Sequence, residues 1–135
     1  MNVELIRVGN ALDFKDLPLS AACRMGDVVH TAGILPIDPD SGKLVGGSIE
    51  EQARLTLTNL VAILERAGSC LAQVGIVRIF LADIARDLAG FNTVYQEFFA
   101  DHHPARYALG VQLAFPELKV EIQVVAGCPV GERTA

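Results

Sequence analysis

The stretch His103-Pro104-Ala105-Arg106-Tyr107-Ala108-Leu109-Gly110-Val111, continued by Phe115-Pro116-Glu117 and Lys119-Val120-Glu121-Ile122-Gln123-Val124-Val125-Ala126-Gly127, decides how the chain is read. Its second half alternates. Val120, Ile122, Val124 and Ala126 fall on one face of a strand, with Glu121, Gln123 and Val125 on the other. In the first half Arg106, Ala108 and Gly110 share a face opposite Tyr107, Leu109 and Val111. An arginine beside two minimal side chains is expected over open space, where its planar fork suits a small carboxylate. The same residue also reads as a solvated strand arginine neutralised by Glu121. The residues alone leave both readings open.

Working outward, the periodicities predict strands over Val3 to Val8 and over Ala21–Met25 and Val28–Ala32, the last two joined by a Gly26-Asp27 turn. Asn10 to Leu19 reads as a loop, and Gly33-Ile34-Leu35-Pro36 as leaving the sheet. Ser48-Ile49-Glu50-Glu51 is a capping box that starts a helix. Ala53, Leu57, Leu60, Val61 and Leu64 follow on one face, and Gly68 ends it. Gly75–Leu81 reads as a strand. A second helix is expected to open at Asp87-Leu88 and run to about Phe99-Ala100, before His102-His103-Pro104 breaks it. The order strand, strand, strand, helix, strand, helix, strand, strand predicts an α+β fold, a mixed sheet with both helices on one face. The other face then needs a cover, and further copies of the chain are the natural one.

The 135 residues are expected to form a single domain over residues 1–135. A hydrophobic fraction of 51% and a mean hydropathy of +0.37 are high, which fits apolar surface reserved for an interface between subunits. No apolar run approaches the ~20 residues of a membrane span, and Met1–Arg7 lacks the pattern of a secretory signal. A cytoplasmic protein is expected. The net charge of −5, without a Lys/Arg cluster, argues against nucleic acid as a partner.

Few residues suit chemistry. Cys23, Cys70 and Cys128 are widely spaced and are expected to be reduced, small apolar residues. His102 and His103 are adjacent, without a partner at ligand spacing, and are expected at a solvated helix end; His30 is expected to be packed in mid-strand. The Asp38–Gly42 cluster lacks the glycine and terminal glutamate of a calcium loop. Neither a phosphate-binding glycine loop nor a nucleophile elbow is present, so no metal and no cofactor are expected. Arg106 and Glu121 remain as the catalytic candidates.

Pro104-Ala105-Arg106, followed after a gap by Val120-Glu121-Ile122, resembles the C-terminal signature of the RidA family, also called YjgF or L-PSP. The similarity extends from the Pro18 loop to Ala126. Asn92, within Phe91-Asn92-Thr93-Val94-Tyr95-Gln96-Glu97-Phe98-Phe99, matches the family's helix motif, and Gly33 a pocket glycine. The resemblance implies a chorismate mutase-like fold, a homotrimer with sites between subunits, and cofactor-independent hydrolysis of 2-enamine or 2-imine carboxylic acids to 2-keto acids with release of ammonia. It makes Arg106 the clamp for the substrate carboxylate and Glu121 the group that helps place a water. Leu19, Ala32 and Ala108 stand where many members have a tyrosine, a serine and a cysteine, which implies a more apolar, roomier pocket. A specialised paralogue acting on a larger substrate, or on aminomuconate or aminoacrylate, fits equally. So does a non-catalytic binder of small carboxylates. An endoribonuclease or translation inhibitor fits less well, given the acidic net charge.

Overall fold

The alternating segment at the C-terminal end forms the middle of the sheet. In a computed structural model describing residues 2–129, the strands are β1 Val3–Ile6, β2 Ala22–Met25, β3 Val28–Thr31, β4 Val74–Leu81, β5 Ala105–Gly110 and β6 Val120–Gly127. The helices are α1 Ile49–Arg66 and α2 Ile84–Phe98. The six strands form one mixed sheet in the order β1-β2-β3-β6-β4-β5. Every neighbouring pair is antiparallel except β4 and β5, which the α2 crossover makes parallel.

Both helices cover one face. Val77, Ile79 and Leu81 of β4 and Val120, Ile122 and Val124 of β6 are fully buried beneath them, packed with Leu57, Leu60 and Leu64 of α1 and Phe91 of α2. The opposite face carries Leu5, Cys23, His30 and Val125 in one cross-strand row, and Leu109, Phe80 and Glu121 in another. No element of the described chain lies over its edges: Val3, Leu5, Tyr107 and Leu109 are all about half exposed or more. Burying such apolar area is worth roughly 25 cal/mol per Å², so this face is the part of the molecule with most to gain from a cover.

Local chemistry explains the boundaries. Ser48 Oγ accepts from the Glu51 amide at 3.1 Å and the Glu51 carboxylate accepts from the Ser48 amide at 3.2 Å, which completes the capping box. Gly68 follows α1 at φ +84°, a conformation open to glycine at no steric cost. Helix α2 begins three residues before the expected Asp87. Asp83 is its cap, accepting from the Arg86 amide at 3.1 Å, while Asp87 lies inside the helix, buried and gripped by Arg86 at 2.9 and 2.7 Å. β1 stops at Ile6 because the Val8 and Gly9 amides turn to the buried Asp13 carboxylate, at 2.7 and 2.8 Å, within a one-turn 3₁₀ helix over Ala11–Asp13. Ile34 does not fully leave the sheet: it exchanges hydrogen bonds with Ile122 at 2.7 and 3.1 Å. His102 is half-buried rather than solvated, its Nε2 2.6 Å from the Val74 carbonyl. Among the cysteines only Cys128 is buried; Cys70 is exposed.

Candidate active site

Arg106 lies on edge strand β5 in register with Val77 of β4, which pairs with Val124 of β6, so its side chain leaves on the helix-covered face. The space it faces is open to solvent and bordered by α2. One turn of α2 presents Asn92 and Tyr95 to it: Arg106 Nη2 donates to Asn92 Oδ1 at 2.7 Å, and the guanidinium carbon stands 4.7 Å from the Tyr95 ring centroid. Tyr95 in turn stacks on Phe99 at 4.6 Å and meets Phe91 at 5.7 Å. A guanidinium over an aromatic face is attracted by the ring quadrupole, and the asparagine oxygen fixes its rotation. The remaining guanidinium donors are exposed, and among the described residues no carboxylate pairs with Arg106. Burial pushes the Tyr95 hydroxyl above the ordinary tyrosine range, against the pull of the Arg106 charge. Among the described residues that hydroxyl is buried with no partner in hydrogen-bonding geometry, the Arg106 guanidinium being its nearest charge. Beside it lies a cavity of about 510 Å³, lined also by Gln96, His103 and Pro104.

Glu121 leaves β6 on the helix-free face, so Arg106 and Glu121 of one chain are on opposite sides of the sheet. They do not neutralise each other. Glu121 opens into a second cavity of about 570 Å³, lined also by Leu17, Leu19, Leu35, Ile37, Leu44 and Phe115. Burial holds its carboxyl above the usual carboxylate range. Gly33 is fitted against it: a Cβ there would stand 2.1 Å from Glu121 Oε2, so any side chain would displace the carboxylate. Leu19 and Ala32 line the same cavity. A third hollow of about 630 Å³, between Ala82 and the 110–118 segment, has no titratable side chain in its wall.

The sequence-predicted residues thus fall into two groups. Arg106 and Asn92 meet on the helix side, while Leu19, Ala32, Gly33 and Glu121 meet on the other. Ala108 joins neither; it is half-buried on the helix side, against the core. Tyr95 belongs to the same helix motif, and its support of Arg106 goes beyond what the sequence predicts. The signal was its spacing of three from Asn92, which puts both on one helical face. Among the described residues no group of three His, Cys, Asp or Glu side chains is placed to hold a metal, and no helix is long and apolar enough to cross a membrane.

Arg106 is thus held through Nη2 by Asn92 on the helix side, and Glu121 lies against Gly33 on the other. Residues 15–128 match the family described as endoribonuclease L-PSP. The chain belongs to the RidA (YjgF, L-PSP) family. Among RidA relatives, the 3-aminoacrylate deaminase RutC of Acinetobacter baylyi is 37% identical over 109 residues, covering 81% of this chain and 86% of that one. The 2-iminobutanoate/2-iminopropanoate deaminase of Capra hircus is 37% identical over 109 residues, covering 81% and 79%. The crystal structure of yeast Mmf1 superimposes with a TM-score of 0.87 at 30% identity, over 95% of this chain and 100% of that one.

Proposed function

We propose that this RidA-family chain hydrolyses 2-enamine or 2-imine carboxylic acids to 2-oxo acids and ammonia, at sites formed between copies of the chain in a homotrimer. The observation that carries this is the split site: a carboxylate-ready arginine on one face of the sheet and a carboxyl of raised pKa on the other. One chain cannot bring the two together. A second copy covering the helix-free face would set its own β5 edge, with Arg106, against the Glu121 cavity.

In such a site Arg106 binds the substrate carboxylate through its exposed donors, with Asn92 and Tyr95 as positioning residues. Glu121 holds a water against the imine carbon. Water oxygen adds to that carbon as a proton reaches the nitrogen; the carbon–nitrogen bond then breaks, ammonia departs and the carbonyl forms. Burial raises the Glu121 pKa above the usual carboxylate range, which makes its carboxylate a stronger proton acceptor for these transfers. No metal or organic cofactor has a part in this scheme. The deaminase names carried by the relatives in Acinetobacter baylyi and Capra hircus support the reading, and the net charge of −5 disfavours a ribonucleic acid substrate.

Ammonia release from a freshly generated 2-imino acid, measured beside a protein-free control, tests the activity. Arg106→Ala is expected to lower kcat/KM by on the order of 10²-fold, since a charge-assisted clamp is worth about 1.5–3 kcal/mol. Arg106→Lys is expected to recover little, because an ammonium keeps the charge but lacks the fork. Near-wild-type turnover by a folded Arg106→Ala would remove this arginine from the site.

A further inference from the structure

Helix α1 carries a polar stripe inside the core. Gln52, Thr56 and Asn59 are each at most 2% exposed, although they neighbour Ala53, Leu57 and Leu60. A buried amide is costly unless its hydrogen bonds are met, and Asn59 spends its Nδ2 group on two backbone carbonyls: Leu35 O at 3.1 Å and Ile37 O at 2.9 Å. Among the described residues no other side chain donates to either carbonyl.

The segment held this way is the wall of the Glu121 cavity. It carries Gly33, which touches the Glu121 carboxylate, then Leu35 and Ile37, and through the Ile37–Leu44 bridge it also sets Leu44. Toward the sheet its anchor is the Ile34–Ile122 pair. Past that point, Asn59 ties it to the helix layer.

The cavity itself has a preference. Within one chain its wall is hydrocarbon apart from Glu121, Lys43 and backbone, and the space of about 570 Å³ it bounds, to which a facing copy adds a further wall, far exceeds the few non-hydrogen atoms of the smallest 2-imino acid. A small ligand in such a space leaves wall atoms without partners. Each methylene that fills it is worth roughly fourfold in binding, from about 0.8 kcal/mol per buried CH₂.

We infer that Asn59, which touches no substrate, is a specificity-determining positioning residue: it holds the 35–37 segment so that the cavity beside Glu121 accepts 2-imino acids with branched or aromatic hydrocarbon side chains. The inference rests on the deaminase reading above. It leaves the reacting atoms to Arg106 and Glu121 and assigns to α1 the choice among substrates.

The test uses a graded series of 2-imino acids with methyl, ethyl, isobutyl and benzyl side chains, each released in the assay from its amino acid by an amino-acid oxidase. The wild-type protein is expected to favour isobutyl over methyl by more than about tenfold in kcat/KM. Asn59→Ala is expected to bring that ratio towards unity by raising KM for the bulky substrates, with kcat on the methyl substrate within about threefold of wild type. Asn59→Ser, which keeps one hydroxyl donor, should fall between them and guards against a misfolded alanine variant. A flat series in the wild type overturns the inference, as does an Asn59 variant that slows all four substrates equally. Thermal shifts with the matching unreactive 2-oxo acids separate the two readings. If no imine is turned over yet the shifts grow from methyl to isobutyl and lose that trend in Asn59→Ser, deamination is wrong and the pocket assignment stands. Shifts without a trend refute the pocket even where deamination is seen.

Discussion

Burial holds the Glu121 carboxyl above the usual carboxylate range, and the sign of that shift yields a measurable consequence. Burial raises its pKa, so the folded chain holds a proton at pH values where the unfolded chain has released it. Its contribution to stability is therefore full below the unfolded pKa and is lost as pH rises through the folded one. Glu121→Gln removes the titration while keeping the shape. The glutamine variant is expected to melt above wild type at neutral pH, the gap closing as the buffer is taken down through the carboxylate range. Thermal melts across that range check it, and parallel curves for the two proteins would mean the carboxyl is solvated. Gly33→Ala is expected to act on the same group by another route: its Cβ needs the place of Glu121 Oε2. The flexible carboxylate can move aside at small cost to folding, so deaminase activity should fall by more than about tenfold while the melting temperature changes little.

At the scale of elements, legibility followed the physics that acts locally. The capping box at Ser48, the αL glycine at position 68 and the alternation of Val120–Gly127 depend on neighbours in sequence, and each could be read directly. What joins distant segments could not. The side of the sheet to which Arg106 points is set by pairing across β4 and β6, and the neighbours it meets there, Asn92 and Tyr95, come from α2. Asp87 looked like a helix start because an acid before an apolar run suits a cap; Asp83, three residues earlier, performs that role. The polar residues of α1 gave only a weak signal, falling at Gln52, Thr56 and Asn59 beside the apolar stripe, and their partners lie on loops far along the chain. The contrast within α1 predicts opposite outcomes for two small substitutions. Ser48→Ala loses a cap and should cost about 1 kcal/mol. Among the described residues the buried Thr56 hydroxyl has no partner, so Thr56→Val removes an unmet polar group at nearly constant volume and should leave stability unchanged or raise it. Denaturant midpoints for the two variants decide it; a Thr56→Val loss as large as the cap's would show that the hydroxyl has a partner after all.

At the scale of the whole molecule, the proposed trimer follows from one asymmetry: two helices cover one face of a six-stranded sheet, and Val3, Leu5, Tyr107 and Leu109 stay exposed on the other. Sedimentation at micromolar concentration should show one species near three chain masses, and a stable monomer would sink the architecture. A sharper consequence comes from the placement of Arg106 and Glu121 on opposite faces. If each site takes its arginine from one copy and its carboxyl from the next, two defective chains can repair each other. Arg106→Ala lacks the clamp but keeps Glu121, while Glu121→Gln lacks the carboxyl but keeps the clamp. Trimers assembled from an equal mixture then contain sites built from the intact half of each. In a ring with random order, about a quarter of sites should be whole, so co-refolding the two inactive variants should restore roughly that fraction of wild-type deaminase activity. Each variant refolded alone should stay inactive. Mixing the assembled trimers without unfolding should restore activity only as fast as subunits exchange. Recovery no greater than the sum of the separate variants, in trimers shown by mass to be mixed, would mean that one chain supplies both groups, against the geometry of its own sheet.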